Sequence, residues 1–424
     1  MNRYIELVNP WWESRPFSVG VLRSRYLDDL KKNLNKRFIQ VLTGLRRVGK
    51  STITLQLIDE IISENKIEPQ KILYFSVEEP SLADLSIIDI INWFRREHNI
   101  KTSEKIYVFI DEIQFRDNWQ QEIKSLYDSE NIKFVLTGSS AMLLSDKLSY
   151  LTGRYIKTQI FPLNFKEYLS FKKVRVSATD SHLLNKHLLN YLEDGGLPEY
   201  ILSKTDRYLE TTVESILFKD LVSKFQLRNP KVLMDLIYLL SDRVGSTTSS
   251  AKLSNILEIN KDTVLTYMDY LTKTYITSDL KNYSSSRNKE IYNPSKIYFD
   301  DTGVCSKYSS KINSGALAEN ALFNCLRLNL EGKLRIKKGY WYEDKNEVDF
   351  VVNNGNDVFL FESKWIDKFD EIDLAALKKA TKSLKPKRIF LITKDLERII
   401  KTDWGIVEAL PLYKFLLADF SKFI

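Results

Sequence analysis

The sequence predicts an α/β protein whose first domain is built on buried, parallel strands. Three observations support this fold class. The apolar run at residues 38–43 leads through a glycine loop at 44–51 into a helix-compatible run at 52–62. A second apolar run, at 105–110, ends in two acids, and a third, at 133–137, ends in glycine and serine. Continuous apolar runs that end in polar loops are typical of strands buried on both faces of a parallel sheet.

Length and composition fit a chain of ordinary globular domains. The chain has 424 residues, 43% hydrophobic and 28% charged, so two or three domains are expected. No membrane-length apolar run and no apolar leader core occur, so we expect a cytoplasmic protein without a membrane partner. Two cysteines and three histidines argue against a disulfide framework, a zinc site and histidine-based catalysis. The net charge of +7 permits nucleic-acid binding without requiring it.

The glycine loop at residues 44–51 has the spacing of a phosphate-binding loop, G-x-x-x-x-G-K-[ST]. Its glycines let backbone N–H groups curve around phosphate oxygens, and the N-terminus of the following helix adds positive partial charge. Lys50 is expected to reach the β- and γ-phosphates, and the Ser51 hydroxyl to bind Mg²⁺. A plain glycine turn is the alternative, but the strand before the loop and the helix after it favour phosphate binding. The residues predicted to contact the nucleotide are Gly44, Leu45, Arg46, Arg47, Val48, Gly49, Lys50, Ser51 and Thr52.

Asp111 and Glu112 end the second apolar run and supply the acids that nucleotide hydrolysis needs. Acids at the carboxyl end of a parallel strand lie at the sheet edge where ligands bind. We expect Asp111 to hold Mg²⁺ through its water shell, and Glu112 to orient and activate the attacking water. A strand that simply ends in two solvated acids is the alternative. The phosphate-binding loop upstream favours the catalytic interpretation.

Two further positions complete the predicted nucleotide site. The third strand ends near Ser139 and Ser140, where a hydroxyl could touch the γ-phosphate or the attacking water. Arg154 follows a Thr-Gly pair and could place its guanidinium on developing phosphate charge, within the chain or from a neighbouring subunit. An ordinary turn and a surface arginine are the alternatives at these two positions.

Seven short motifs are spread along the chain, at residues 9–12 (NPWW), 44–51, 108–112 (VFIDE), 137–140 (TGSS), 152–154 (TGR), 162–167 (PLNFKE) and 195–198 (GGLP). Together they resemble the prokaryotic AAA+ ATPases, and more narrowly an archaeal and bacterial group with the loop G-x-R-R-x-G-K-[ST]. The resemblance implies a parallel sheet of five strands, Mg²⁺-dependent ATP binding and ATP hydrolysis. It implies that Ser139 or Ser140 is the polar sensor, and it gives Arg46 and Arg47 no catalytic role.

Residues 229–300 carry the pattern of a winged helix, with three helices followed by two short strands that pair as the wing. Lys261, Thr263, Thr266 and Tyr267 are predicted on the exposed recognition face. A winged helix used only for protein packing is the favoured alternative, because the same helix carries Asp262 and Asp269 and is not strongly basic. The predicted helices are 231–240, 253–257 and 260–271, with Asn260 as N-cap, and the predicted strands are 275–280 and 290–292, with 281–289 at the tip.

A second set of acids near the C-terminus has a spacing that suits metal chemistry. Asp349 lies on one predicted strand, and Glu362 and Lys364 lie two residues apart on the next, so both point to one side of it. A hairpin would bring Asp349 beside them. The two carboxylates would hold Mg²⁺ or Mn²⁺, while the lysine polarises a water or stabilises phosphate charge.

This acid–acid–lysine set, in the order α-β-β-β-α-β, resembles the PD-(D/E)xK nuclease core of archaeal Holliday-junction resolvases and restriction endonucleases. The resemblance implies that Glu319, on the predicted helix 315–329, completes the metal site. Helix 371–380 and strand 388–393 complete the order. An inherited fold without cleavage is the alternative, although the intact Lys364 argues against a fully decayed site.

The predicted organisation is an AAA+ P-loop core with a helical lid, a winged-helix domain and a C-terminal restriction-endonuclease-like domain. The leading hypothesis is an ATPase that acts on duplex or branched DNA and carries a metal-dependent nuclease-like site. The alternative is a nucleotide-gated switch that binds a protein or DNA partner without cleavage. Both allow a homo-oligomer. The predicted segments are 1–30 (N-terminal segment), 31–165 (AAA+ core), 166–228 (lid), 229–300 (winged helix) and 301–424 (nuclease-like domain).

Overall fold

The computed structural model describes the chain except for residues 1, 65–66, 140–147, 176–179, 206, 223–224, 226, 228, 285, 287, 289, 291–292, 334 and 367–371. The predicted sensor Ser140 therefore lies outside the described residues. The chain divides into two compact units, Met1–Phe161 and Pro162–Ile424. Within the described residues, no helix has the length and apolar character that a membrane crossing requires.

The first unit contains a five-stranded parallel sheet, which confirms the predicted α/β class. The strands lie in the order β2-β3-β4-β1-β5, and each neighbouring pair is parallel. The loops that follow β1, β3 and β4 consequently open at one edge of the sheet. The strands are β1 (Ile39–Thr43), β2 (Ile72–Ser76), β3 (Ile106–Asp111), β4 (Ile132–Gly138) and β5 (Tyr155–Gln159), and the helices are α1 (Asn2–Val8), α2 (Ser24–Lys32), α3 (Lys50–Ser63), α4 (Ile87–Glu97) and α5 (Trp119–Ser129).

Helices cover this sheet and bury its central strands. β1, β3 and β4 are buried at every residue, as strands covered on both faces must be. Val41, Val108 and Phe134 share one apolar core with Ile90 of α4 and Ile123 of α5. α3, which follows the glycine loop, also packs against β4. A close-packed core of this kind holds the ends of the strands in fixed positions.

The N-terminal segment covers the free edge of β2. The buried Asn9 side chain pairs with the edge backbone, donating from Nδ2 to Tyr74 O at 2.7 Å and accepting at Oδ1 from Tyr74 N at 2.7 Å. The indole of Trp12 donates to Ile72 O at 2.7 Å. An uncovered strand edge exposes unpaired N–H and C=O groups, so these side chains complete the sheet. This is the physical role of the motif at residues 9–12.

The second unit begins with a series of helices. The motif at 162–167 forms the start of the first one. There the side chains of Asn164 and Glu167 make a reciprocal capping box, with bonds of 2.9 and 3.0 Å to each other's backbone N–H. The helices are α6 (Phe165–Phe171), α7 (Ser181–Asp194), α8 (Pro198–Ser203), α9 (Tyr208–Ser215), which is followed by the π-helical Ile216–Val222, then α10 (Pro230–Ser241), α11 (Ser250–Leu257) and α12 (Lys261–Lys273).

A two-stranded antiparallel hairpin follows α12. It joins β6 (Thr277–Leu280) to β7 (Lys296–Phe299). The predicted pairing of 275–280 with 290–292 is wrong in its second strand, and residues 291–292 lie outside the described part. β7 is buried at all four of its residues, so burial of this apolar run selects it as the partner strand.

The helix α12 also differs from its prediction. Tyr267 is buried rather than exposed, and Thr263 is half-buried, whereas Lys261 and Thr266 are exposed. Tyr267 lies one turn from the buried Val264 on the apolar face that packs inward, which explains the difference. Asn260 precedes the helix as predicted, but its side chain makes no capping hydrogen bond.

A six-stranded mixed sheet forms the C-terminal part of the second unit, in the order β12-β13-β11-β10-β9-β8. The predicted order α-β-β-β-α-β is confirmed, from α14 to β11. The predicted helix 371–380 instead begins at Ala375, and Glu371 lies outside the described residues. The elements are α13 (Thr302–Tyr308), α14 (Ser314–Leu330), β8 (Lys337–Glu343), β9 (Asn346–Asn353), β10 (Val358–Lys364), α15 (Ala375–Leu384), β11 (Arg388–Thr393), β12 (Arg398–Thr402), β13 (Gly405–Pro411) and α16 (Leu412–Leu417).

Helices cover this second sheet as well. Val351 of β9, Leu360 of β10 and Leu391 of β11 share an apolar core with Leu377 of α15. α14 packs against β10, and α16 packs against β11 and β13. β9 and β10 form an antiparallel hairpin in which Phe350 lies opposite Phe361. The next pair along the hairpin brings Asp349 level with Glu362.

Candidate functional site

The loop at residues 44–51 joins the end of β1 to the start of α3, as its motif predicts. Gly44 has φ +147°, and a Cβ at this position would lie 2.2 Å from the carbonyl oxygen of Ile160. Gly49, at the N-cap of α3, has φ +95°. Both positions therefore require glycine, and the loop backbone is free to approach a bound group closely.

A buried arginine that the sequence analysis missed supports this loop. The guanidinium of Arg23 donates to Val48 O and to Phe161 O, each at 3.0 Å. The backbone N–H of Arg23 donates to Gln56 Oε1 of α3 at 3.2 Å. These contacts span 25 to 138 residues of sequence, so no local pattern could have revealed them.

Lys50 is buried against the loop that precedes it. Its Nζ donates to Gly44 O at 3.1 Å and to Leu45 O at 3.2 Å. The ammonium group thus lies inside the curve of the loop, where the sequence predicts the phosphates. Its position agrees with the role proposed for it from the motif.

Asp111 is the centre of a hydrogen-bond network at the carboxyl edge of the sheet. Its Oδ2 accepts from Ser51 Oγ at 2.7 Å and from the Tyr74 hydroxyl at 3.2 Å, while Oδ1 accepts from Thr137 Oγ1. Burial raises the pKa of Asp111 above its usual range, and the charge of the adjacent Glu112 adds to this effect. The structure therefore brings together the predicted Mg²⁺ residues Ser51 and Asp111. Their hydroxyl and carboxylate oxygens are the hard donors that Mg²⁺ prefers, so this pair fits the ion.

Glu112 follows in a left-handed conformation, with φ +52°. Its carboxylate accepts a hydrogen bond from Gln114 Nε2, which also donates to Ser139 Oγ at 3.0 Å. Its backbone N–H donates to Thr137 Oγ1 at 3.0 Å. Burial acts to raise the pKa of Glu112, but the charge of Lys50 and the amide of Gln114 bring it below its usual value. The carboxylate is therefore ionised at neutral pH, as a base must be.

Gln114 is a further residue that the sequence analysis missed. It is buried and joins two predicted residues, Glu112 and Ser139, through one amide nitrogen. A polar residue two positions after an Asp-Glu pair gives only a weak signal, because most such residues lie in solvent. The structure therefore adds Gln114 to the candidate site.

Arg154 is not brought to this site within the chain. It precedes β5, and its carbonyl oxygen accepts from the backbone N–H of Ile39, the first residue of β1. The glycine loop follows the last residue of β1, so Arg154 lies at the opposite edge of the sheet. Its guanidinium pairs with Asp128 at 3.2 Å. Of the alternatives left open for Arg154, this position does not support the one within the chain. Arg46, which was predicted to contact the nucleotide, has its guanidinium 3.3 Å from the carboxylate of Glu78.

The second predicted site is also assembled. Asp349 N donates to Glu362 Oε2 at 3.1 Å, and Ser363 N donates to Asp349 Oδ2 at 2.9 Å. Lys364 Nζ lies 2.7 Å from Glu362 Oε1. Both carboxylates are buried, whereas Lys364 is partly exposed. The hairpin of β9 and β10 therefore brings the acid–acid–lysine set together as predicted.

Lys296 of β7 enters the same cluster and was missed by the sequence analysis. Its Nζ lies 3.3 Å from Glu319 Oε1, 3.0 Å from Asp349 Oδ1 and 2.7 Å from Glu347 Oε1. The Tyr298 hydroxyl donates to Glu319 Oε1 at 2.7 Å. A Lys-x-Tyr pair on one side of a strand otherwise rich in apolar residues is the signal that could have revealed this contact.

The charges in this cluster perturb one another. Burial acts to lower the pKa of Lys296, but the carboxylates of Asp349, Glu319 and Glu347 raise it above its usual value. Burial, together with the charge of Asp349, raises the pKa of Glu319 to about 7 and that of Glu362 to about 8. Among the described residues, no group of three or more His, Cys, Asp or Glu side chains is arranged to hold a metal ion. With Lys296 against Asp349 and Lys364 against Glu362, the two predicted metal ligands do not fit a divalent ion in this arrangement.

Family models match three consecutive parts of the chain. An AAA domain model matches residues 36–169. Two domains of unknown function follow, DUF8612 at residues 185–314 and DUF4143 at residues 314–415. The first match contains the glycine loop, Asp111 and Glu112. The third contains Asp349, Glu362 and Lys364, whereas Lys296 lies within the second.

Two solved structures show a remote likeness. The ORC1 protein of Aeropyrum pernix in complex with DNA is 13% identical, with 74% of this chain and 97% of that chain covered and a TM-score of 0.33. AMPPCP-bound DnaA from Aquifex aeolicus is 14% identical, with 62% and 90% covered and a TM-score of 0.28. A likeness at this level says nothing about what the present chain binds.

Curated relatives extend over most of the chain. An uncharacterized protein of Haemophilus influenzae is 29% identical over 353 residues, covering 80% of this chain and 85% of the relative. The uncharacterized protein MJ1544 of Methanocaldococcus jannaschii is 30% identical over 413 residues, covering 92% of this chain and 90% of the relative. The chain therefore belongs to the same family as MJ1544, and it carries an AAA domain of the P-loop ATPase class at residues 36–169.

Proposed function

We propose that this protein binds and hydrolyses ATP with Mg²⁺ and uses the cycle to act on DNA. The observation that carries the proposal is the hydrogen-bond network at one edge of the parallel sheet, in which Thr137 links the Ser51–Asp111 pair to the group of Glu112, Gln114 and Ser139. A nucleotide on the glycine loop would meet a base, a cation and a polar sensor in this one place.

Each residue of the candidate site is assigned one role in ATP hydrolysis. Ser51 and Asp111 would hold Mg²⁺, which would supply positive charge beside the phosphates. Lys50 leaves its loop carbonyls and stabilises the charge that develops on the transferred phosphoryl group. Glu112 orients the attacking water and accepts its proton. Gln114 and Ser139 hold the Glu112 carboxylate in position.

The variant Glu112→Gln tests this assignment. We expect ATP hydrolysis to fall by roughly 10²- to 10⁴-fold, the usual contribution of a general base, with ATP affinity retained. Glu97→Gln, on the exposed surface of the same unit, is the matched control and should hydrolyse ATP at the wild-type rate. Unchanged turnover in Glu112→Gln would show that Glu112 is not the general base.

Arg154 has a role in hydrolysis only across a subunit interface, because it lies at the far edge of its own sheet. In a homo-oligomer it would place its guanidinium on the nucleotide of the neighbouring subunit. Arg154→Ala should then lower turnover at protein concentrations where subunits associate and have no effect on the dilute monomer. An equal loss at all concentrations would indicate a structural role through Asp128.

DNA contact is proposed for the region from α10 to β7. Its order of three helices and a hairpin is that of a winged helix, and Lys261 and Thr266 are exposed on α12. Binding through phosphates should weaken as salt rises, and Lys261→Ala should reduce the slope of log K against log [salt] by about one. Lys401→Ala, on the exposed face of β12, is the control and should leave the slope unchanged. DNA affinity that is insensitive to salt would contradict a phosphate-led interface.

Metal-dependent DNA cleavage is a second candidate function, and the assembled set of Asp349, Glu362 and Lys364 favours it. A nucleotide-gated switch that binds its partner without cleavage is the competing candidate, and the position of Lys296 among the acids favours that one. A cleavage assay with Mg²⁺ or Mn²⁺ separates them. Cutting by the wild type that Asp349→Ala abolishes would establish the nuclease, whereas intact DNA in both samples supports the switch.

A further inference from the structure

Lys296 lies at the point where the acids of the C-terminal cluster converge. Its side chain is 1% exposed, and its Nζ lies within 3.3 Å of one oxygen from each of Glu319, Glu347 and Asp349. A buried ammonium requires such partners, since an unpaired charge in the interior is very costly. The three carboxylates in turn gain a common counter-ion.

The remaining oxygens of the predicted metal ligands also have partners. Asp349 Oδ2 accepts from Ser363 N at 2.9 Å, and Glu362 Oε2 accepts from Asp349 N at 3.1 Å. Glu362 Oε1 pairs with Lys364 Nζ at 2.7 Å. Lys296 contacts Glu319 Oε1 and Asp349 Oδ1, so a divalent ion that bound these two oxygens at about 2.0–2.6 Å would have to displace the ammonium group.

The backbone that carries Lys296 is held firmly in place. β7 pairs with β6, and Asn320 of α14 accepts from Phe299 N at 2.8 Å and donates to Phe299 O at 2.7 Å. The ring of Tyr298 stacks on Phe323 of α14 at 4.2 Å between centroids. Movement of the β7 backbone away from the cluster would therefore require β7 to separate from α14.

A close approach of the chain shields the cluster on another side. Gly245 has φ +74°, and a Cβ there would lie 2.8 Å from Glu319 Oε1. Its N–H donates to Ile297 O of β7 at 3.0 Å. The turn at this glycine thus rests directly on the carboxylate that Lys296 neutralises.

We infer that the ammonium of Lys296 is the resident cation of this acid cluster and takes the place of a divalent metal ion. The inference rests on the proposed nuclease-like site. It favours the candidate function in which this domain binds a partner and does not cleave DNA. Replacing Lys296 by an uncharged residue should then create a divalent-metal site from the acids that remain.

Mn²⁺ binding to the full chain without nucleotide tests this inference, with bound ion counted by electron paramagnetic resonance. The samples are the wild type, Lys296→Met, Asp349→Ala, Lys296→Arg as the cation-retaining control, and the Lys296→Met/Asp349→Ala double variant. We expect the wild type and Lys296→Arg to bind equal amounts of Mn²⁺. Lys296→Met should bind one further ion per chain, which the double variant loses. Mn²⁺ should also raise the melting temperature of Lys296→Met by more than it raises that of the wild type or Lys296→Arg.

Two results would overturn the inference. One is a Mn²⁺ ion bound by the wild type that the single variant Asp349→Ala loses. The other is a folded Lys296→Met variant that binds no more Mn²⁺ than the wild type. If Lys296→Met fails to fold, comparison of the wild type with Asp349→Ala still decides the matter, since equal binding supports the inference. ATP hydrolysis is measured in the same samples, and it should not change in the Lys296 variants because Lys296 lies outside the nucleotide site. A failure of the metal-site inference is thereby distinguished from a failure of the proposed ATPase.

Discussion

Asn9→Ala should destabilise the first unit through the edge strand β2. The Asn9 side chain is 1% exposed and satisfies both the N–H and the C=O of Tyr74, each at 2.7 Å. A buried polar group left without a partner costs about 1–3 kcal/mol, so two such groups give an expected loss of about 2–6 kcal/mol. For a unit of this size, each kcal/mol lowers Tm by about 2–4 °C.

The assay is urea unfolding together with amide hydrogen exchange of Ile72–Ser76. Amide exchange reports on β2 itself, whereas urea unfolding of the full chain reports on both of its compact units. Asn33→Ala is the matched control. Its side chain makes a solvent-exposed bond to Asp29 O at 2.9 Å, so the expected change is within about 0.5 kcal/mol. A loss in Asn9→Ala no larger than in the control, with unchanged exchange in β2, would show that the Asn9 side chain does not stabilise the edge strand.

Three further predictions concern the two sites. Gly44→Ala should lower ATP affinity at least tenfold in a nucleotide titration, because its Cβ would lie 2.2 Å from Ile160 O. The raised pKa of Asp111 means that the folded state holds this proton more tightly than the unfolded chain. This carboxyl therefore adds to the free energy of unfolding in acid, and the contribution is lost as pH rises through the raised pKa. Asp111→Asn should make the free energy of unfolding, measured with urea at a series of pH values, depend less on pH. Tyr298→Phe removes a donor to Glu319 and should cost about 1.5–3 kcal/mol in the same assay, which a change below about 0.5 kcal/mol would contradict.

The nucleotide-binding half of the fold could be predicted because its signals are local. The loop at residues 44–51 lies between an apolar strand and a helix, and Asp111 ends a continuous apolar run. Each pattern spans a few residues and depends on backbone geometry that glycine or burial dictates. The order of the C-terminal elements was predictable for the same reason.

The contacts that could not be predicted join residues far apart in the chain. Lys296 meets Glu319 and Asp349 across 23 and 53 residues, and Arg23 meets Phe161 across 138. No local periodicity encodes such pairs, since they arise only when separate elements pack. The second strand of the hairpin was predicted too early in the chain, because the burial of Lys296–Phe299 against other elements is a tertiary feature that the local sequence does not show.

We propose that ATP hydrolysis at the glycine loop is coupled to DNA, and the rate of phosphate release measures this coupling. The rate is measured for the wild type and Glu112→Gln, without DNA and with duplex, branched or single-stranded DNA, at low and moderate salt. We expect at least one DNA form to raise the wild-type rate, more strongly at low salt, and Glu112→Gln to stay near background in every sample. A wild-type rate that is the same with and without each DNA would contradict the coupling, and turnover that persists in Glu112→Gln would contradict the site.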